Sequence, residues 1–385
     1  MKILYLIKAY TRKAGTERVL CDKMNYLVEH GYEIHLVTYS QGNHPYAFPL
    51  NKQIIHHDLN IRFIDLSRQN IVKRLFGHLI LRSRFKQSLQ ILINEVKPDV
   101  LITTTYQLKL TNLILSVKTC AVKLIESHIS FNNVTISEEY FREGKSRFFA
   151  FLMDSFFLQK IGQFDRLIVL TKGDFQAWTS HNVSNIRIIP NPVTSYPEMI
   201  NEDTADDRHR IICAGRLHEQ KGFDLLISAF SLISDKCPGW IIDIFGEGEE
   251  ESKLRNLIKS SGLEKRIYIN APKDDIYSEY QNSSFYVLSS RYEGFALVLN
   301  EAMSCGLPCV AFNCEYGPEE SIANNENGLL VENGNVEGLS EAILWMINHP
   351  DERLRMGRNA RKSSARYAKD KIMKMWEDLF EECVS

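Results

Sequence analysis

The chain has 385 residues, too many for one ordinary core and suited to two domains of roughly 150–200 residues each. Its 44% hydrophobic and 24% charged residues are those of a soluble globular protein, and no run of about 18 apolar residues is present to span a membrane. The formal charge of -2 hides an asymmetry: residues 1–200 carry 25 Lys+Arg against 16 Asp+Glu, and residues 201–385 carry 21 against 32. A basic N-terminal half invites an anionic partner, whether a membrane surface, a lipid-linked phosphate or a nucleic acid. Zinc-finger spacing, an RNP-like strand pair and an Arg-rich dimerising helix are all missing, which sets nucleic acid aside.

The stretch Met1 to Ile7 is too short for a signal peptide, so the expected location is the cytoplasm, at most peripheral on a membrane. Ile3 to Ile7 reads as a buried strand, and Thr16 to Val28 has helical apolar spacing. Between them Ala14-Gly15-Thr16-Glu17-Arg18 offers close backbone approach to a ligand with a helix N-terminus behind it; it is not GxGxxG, so an NAD fingerprint is excluded. Glu33 to Thr38 is the second strand, which makes a right-handed, Rossmann-like opening. Residues 40–60 read as loop. From Arg62 to Lys97, Arg68, Lys73, Arg74, Arg82, Arg84 and Lys86 alternate with apolar residues. This is a basic amphipathic helix that either lies on anionic lipid or turns an ordinary apolar face to the core.

Strands follow at 99–103 and 121–126, the latter leading to His128, placed where α/β folds keep their ligands; the alternative is a loop imidazole that packs or solvates. Tyr140 to Phe151 is an aromatic, charged segment continuing as helix to about Lys160. A strand at 165–170 precedes a helix capped by Thr171 and containing Trp178. Asn191 to Pro197 and the polar stretch 201–208 form the linker. We therefore divide the chain into a first Rossmann-like domain (1–195), a linker (196–208), a second Rossmann-like domain (209–364) and a C-terminal helix (365–385). Strands recur at 210–217, 240–245, 266–269, 285–288, 309–312 and 328–331, and two helices, 351–364 and 367–383, close the chain. Eight cysteines lack a CxxC, and no histidine completes a zinc site near Cys305, Cys309 and Cys314, so buried free thiols are expected.

The chemistry concentrates in the second half. Arg216 and Lys221 flank a glycine turn at a strand end and can neutralise a diphosphate, unless they are ordinary surface charges. Glu293 and Glu301 lie eight residues apart around Gly294-Phe295, at the opening of a helix that Gly306 and Pro308 close. Carboxylates suit paired sugar hydroxyls, and the backbone amides from Gly294 to Leu297 form an anion-attracting array. The alternative makes Glu293 a helix cap and Glu301 a solvated residue.

In this order and spacing, Gly215-Arg216 with Lys221-Gly222, Glu293 with Glu301, Gly306-Leu-Pro308 and Gly317-Pro-Glu319 resemble the retaining glycosyltransferases of family 4 over nearly the whole chain. The resemblance implies the GT-B fold, two Rossmann-like α/β domains facing a central cleft, the first (1–195) for the acceptor and the second (209–364) for the nucleotide sugar, with the C-terminal helix (365–385) packing back on the first. It implies a retaining, metal-independent transfer of a hexose or N-acetylhexosamine from a nucleotide sugar, UDP-linked on the strength of Gly317-Pro-Glu319, to a surface glycan or lipid-linked saccharide. Arg216 and Lys221 would stabilise the leaving diphosphate, Glu301 would bind the ribose, and Glu293, with the amides of Gly294, Phe295, Ala296 and Leu297, would hold the donor sugar. Gly15 would lie against the donor phosphate and sugar, and His128 would contact the sugar; no metal ligand or cofactor is implied. The competing readings are a nucleotide-sugar epimerase of similar architecture and a non-catalytic nucleotide-sugar-binding subunit.

Overall fold

The structure, a computed structural model, describes residues 1–11, 14–63, 71–134, 156–197, 208–273 and 275–384. The chain forms two compact units, Met1–Ile189 with Met373–Ser385, and Pro190–Ile372. The first unit thus ends at 189 and regains the chain at 373, where the sequence suggested breaks at 195 and 365.

The first unit is a seven-stranded sheet. Its strands are β1 (Lys2–Ile7), β2 (Glu33–Thr38), β3 (Ile55–Asp58), β4 (Val100–Thr104), β5 (Val122–Glu126), β6 (Arg166–Val169) and β7 (Ile186–Ile188), all paired in parallel in the order β3-β2-β1-β4-β5-β6-β7. Strand order reverses between β1 and β4, the place where doubly wound sheets open a crevice at their carboxyl ends. Parallel strands need both faces covered, and β1 reads accordingly, with Ile3, Leu4, Tyr5 and Leu6 all buried. The helix Gly15–Glu29 buries Val19, Leu20, Met24 and Leu27 against the sheet. The helix Lys369–Val384 contributes Trp376 and Phe380, the latter in ring contact with Tyr32, and Glu382 bridges Arg166 and Arg187.

The second unit holds β8 (Arg210–Ala214), β9 (Ile241–Phe245), β10 (Ile267–Asn270), β11 (Phe285–Leu288), β12 (Cys309–Asn313) and β13 (Gly328–Glu332), again parallel, in the order β10-β9-β8-β11-β12-β13. Here the reversal falls between β8 and β11.

Three expectations need correction. Residues 40–60 are not all loop: Ile-His-His-Asp at 55–58 pairs with β2 as an edge strand, a sequence with no apolar alternation to announce it. The helix opposite Glu293 begins at Leu297 rather than at Gly294-Phe295. A helix at Val336–Asn348, capped by the Asn335 side chain on the Gly338 amide, precedes the two closing helices. The basic helix spans Ile71–Val96, whereas Arg68, most of the linker and the segment from Tyr140 to Phe151 lie outside the described residues.

Candidate active site

In the second unit, the loops that leave β8 and β11 carry the residues singled out by spacing, so they meet at the reversal of strand order. A set of hydrogen bonds clamps these loops together. The Arg291 amide donates to the Gln220 carbonyl (2.8 Å), the Gln220 side chain to the Tyr292 carbonyl (3.0 Å) and Ser289 Oγ to the Lys221 carbonyl (3.0 Å). The Arg291 guanidinium forks across both oxygens of Asp224 at 2.9 and 2.7 Å, the planar geometry that fixes direction as well as distance.

The clamp delivers Lys221 Nζ to 2.6 Å from Glu293 Oε1, an oxygen that also accepts from Ser290 Oγ at 2.6 Å. Glu293 is buried, and a buried carboxylate is tolerated when a cation compensates it. Its other oxygen, Oε2, has no hydrogen-bond partner among the described residues and is the one left for a ligand hydroxyl. Arg216 is exposed and makes no ion pair among the described residues, so its guanidinium is open to an anion. Two glycines allow this packing. Gly222 adopts a left-handed φ of 60°, and a Cβ there would lie 2.0 Å from the Ser289 carbonyl oxygen. A Cβ at Gly317 would lie 2.9 Å from that of Glu293, so the Gly317-Pro-Glu319 loop rests directly on the Glu293 stem.

Glu301 lies on the helix Leu297–Ser304 and is buried, not solvated; Glu293 does not cap that helix, whose N-cap is Ala296. Burial first, and the Glu301 charge second, keep the Tyr277 and Tyr280 hydroxyls protonated beside it. The expected amide array is smaller than the spacing implied. The Leu297 amide donates to the Phe295 carbonyl at 2.8 Å, because the chain makes a tight turn before the helix, and the Phe295 ring is occupied against Tyr367. Burial, then the Glu293 charge, outweigh Lys221 and push the Cys314 thiol up to about 12, so it is no nucleophile at neutral pH.

In the first unit, Gly15 opens the helix that follows β1, and Ala14 caps it with extended backbone and no side-chain bond. Among the described residues, a Cβ at Gly15 would meet no atom within 4 Å beyond its chain neighbours and its own helix. His128 stands two residues past the end of β5, its side chain buried, with Nε2 3.0 Å from Glu126 Oε2. Lys23 Nζ is 2.7 Å from the same oxygen. Burial raises the Glu126 carboxyl, but Lys23 and then His128 outweigh it and hold it down to about 2. For Lys23 burial wins and lowers its pKa despite Glu126. We take the carboxylate as ionised, since it faces two basic groups.

Sequence reasoning missed Lys23, Glu126, Asp224 and Arg291. A signal existed for the first: Lys23 falls inside the apolar stripe of its helix, beside Leu20, Met24 and Leu27, where a charge needs a buried partner. Among the described residues no group of three His, Cys, Asp or Glu is placed to hold a metal ion, and no helix is long and apolar enough to cross a membrane.

Two parallel, doubly wound units with basic and acidic residues gathered at the strand-order reversal define a GT-B transferase. Residues 14–195 match the model of Glycosyltransferase Family 4 and residues 197–363 that of Glycosyl transferases group 1, and the chain belongs to these glycosyltransferases. It is 28% identical to an uncharacterized glycosyltransferase of Haemophilus influenzae, over 98% of this chain and 99% of that one. It is 27% identical to the amylovoran biosynthesis glycosyltransferase AmsD of Erwinia amylovora over the same shares. The crystal structure of Anabaena HepE in complex with UDP and glucose shares the fold, with a TM-score of 0.75 at 18% identity, covering 99% of each chain.

Proposed function

We propose that this glycosyltransferase moves a hexose or N-acetylhexosamine from a UDP-sugar to a growing surface glycan or lipid-linked saccharide, with retention and without a metal ion. The observation that carries the reading is the 2.6 Å Lys221–Glu293 contact beside the open Arg216. Two cations at a strand end offset the charge that develops on a departing diphosphate, the role a metal fills elsewhere, and such preorganised charge is worth about 2.7–4 kcal/mol per donor group removed. Glu293 Oε1 is already engaged by Lys221 and Ser290, which suits it to hold sugar hydroxyls rather than to attack the anomeric carbon. Retention then proceeds on one face. The bond from anomeric carbon to phosphate oxygen breaks, the acceptor oxygen adds on the same side, and the acceptor proton passes to the leaving phosphate. Glu301 binds the ribose, and Gly15 and His128 contact the donor phosphate and sugar. UDP is favoured by the resemblance in the Gly317-Pro-Glu319 loop and by the UDP bound to HepE. The surface-glycan acceptor is favoured by the role named for AmsD.

A thermal-shift panel of UDP, GDP, ADP and their sugars tests the donor. UDP compounds should raise the melting temperature of the wild type and not of Glu301→Ala, with EDTA making no difference. A response to another base, loss of activity in EDTA, or an inverted product anomer would each defeat part of the reading.

The acceptor's lipid carrier gives the basic helix Ile71–Val96 its use. Phe76, Leu79 and Ile80 are 63, 60 and 54% exposed, on the same helix as Arg84 and Lys86. Apolar anchors with basic flanks suit the anionic cytoplasmic leaflet. Phe76→Ser/Ile80→Ser should abolish co-sedimentation with phosphatidylserine vesicles at low salt, and undiminished binding would remove this helix from the account.

A further inference from the structure

The first unit encloses a charged cluster that the scheme above does not use. Lys23 is 1% exposed, its counter-charge among the described residues is Glu126 Oε2, and its ammonium lies 3.6 Å over the Trp376 ring and 5.7 Å from that of Tyr5. Glu126 is 2% exposed and shares that same oxygen between Lys23 and His128. His128 Nε2 lies 3.0 Å from Glu126 Oε2, near enough for the carboxylate to attract an N–H there though the contact is not aligned as a hydrogen bond, and among the described residues Glu126 Oε1 and both His128 ring nitrogens are buried without a hydrogen-bond partner.

As a source of stability this arrangement is poor. Each buried ion costs several kcal/mol of lost hydration, and an apolar pair of the same volume would serve a core as well or better. Its geometry serves another purpose. Lys23 stands two turns along the helix that Gly15 opens, and Glu126 ends the strand that leads to His128. The pair therefore joins the two first-unit residues that the donor requires, and Trp376 closes over it.

We propose that Glu126, fixed by Lys23, is a positioning residue for His128. Its carboxylate holds the proton on Nε2, which leaves Nδ1 as a bare acceptor for a sugar hydroxyl. The orphaned Nδ1 is the observation that points to a ligand: a buried acceptor without a donor is costly, and a bound hydroxyl satisfies it. This inference rests on His128 contacting the donor sugar.

The test uses the full chain. Glu126→Gln alone would strand a buried ammonium, so the working variant is Lys23→Met/Glu126→Gln, which removes both charges and keeps the volumes. With 15N-labelled histidine, the wild type should show a downfield, exchange-protected imidazole N–H signal, assigned by its loss in His128→Gln. The double variant should shift that signal upfield or lose it to exchange, an effect that mere core support would not produce. Turnover should fall about 10- to 100-fold, the range found when carboxylate partners of metal-bound histidines are removed. The donor KM should stay near the wild-type value. An unchanged signal, or none in the wild type, overturns the proposal, as does full turnover in the double variant when His128→Ala is inactive. If His128→Ala itself turns over normally, the donor-site reading of His128 is what fails.

Discussion

Alanine at Gly222 and at Gly15 should separate a glycine that the fold requires from one that the ligand requires. At Gly222 the φ of 60° costs an L-residue about 1–2 kcal/mol. The added methyl would also stand 2.0 Å from the Ser289 carbonyl oxygen, which must retreat by about 1 Å or more to reach ordinary contact. That oxygen is not free to move. Ser289 follows β11, which pairs with β8, and its own hydroxyl holds the Lys221 carbonyl. Retreat would break one or two clamp hydrogen bonds at about 1 kcal/mol each, so the total loss is about 3 kcal/mol. For a unit of this size each kcal/mol shifts the midpoint by about 2–4 °C, so the transition of the second unit should fall by about 6–12 °C. At Gly15 a methyl meets no atom of the described residues within 4 Å outside its own helix and chain neighbours, and helical alanine should stabilise by about 0.4–1 kcal/mol while obstructing the donor. Differential scanning fluorimetry with and without UDP, followed by transfer assays, reads both. If Gly222→Ala melts within about 2 °C of the wild type, the clamp is not the constraint described. Full-speed transfer by Gly15→Ala would remove that glycine from the donor site.

Arg216→Ala should leave the melting temperature nearly unchanged, because the side chain is exposed, yet reduce turnover about 10²–10³-fold if it stabilises the leaving diphosphate; an unaffected rate would show that it does not. Trp376→Ala should destabilise the first unit by about 3–5 kcal/mol, measured by urea unfolding, and a loss below about 1 kcal/mol would show that the C-terminal segment is not integral to it. Acid should weaken the same unit in a defined way. Glu126 is held down to about 2 against 4.5 for a free carboxyl, so the folded form binds fewer protons than the unfolded chain. The resulting stability, about 3 kcal/mol, is complete above roughly pH 5 and lost as the pH falls toward 2, with about 2 kcal/mol gone by pH 3. Between pH 6 and 3 the wild type should therefore lose about 2 kcal/mol more than Lys23→Met/Glu126→Gln. Equal losses would contradict the assignment.

The features legible in the sequence were local. Arg216 and Lys221 stand five residues apart on one turn, and Glu293 and Glu301 eight apart across one loop and helix, so spacing alone groups them. Parallel, doubly wound sheets were legible for the same reason, as buried apolar strands alternate with amphipathic helices. The clamp between Gln220 and Arg291 and the Lys23–Glu126 pair join positions 71 and 103 apart in sequence, and nothing in the neighbourhood of either residue names its partner. The edge strand Ile55–Asp58 was unreadable because three of its four residues are polar and half-buried. The amide array was overcounted because the turn at Phe295 consumes a donor that helix spacing leaves free. The helix Val336–Asn348 was a different miss, since Asn335 ahead of an apolar periodic run is a recognisable start.

The position of Trp376 sets a timetable for biosynthesis. The first unit contains Met1–Ile189 and Met373–Ser385, so a ribosome that has finished β7 must still make the whole of Pro190–Ile372 before the residue that covers Lys23 is added. At about 5–20 residues per second that interval is roughly ten to forty seconds. Throughout it the nascent first unit carries a buried-type ammonium without its aromatic cover and an apolar seam beside Tyr32 without Phe380. Fragments that stop near residue 195 would be held permanently at that stage, and should be sticky and short-lived where the full chain is not.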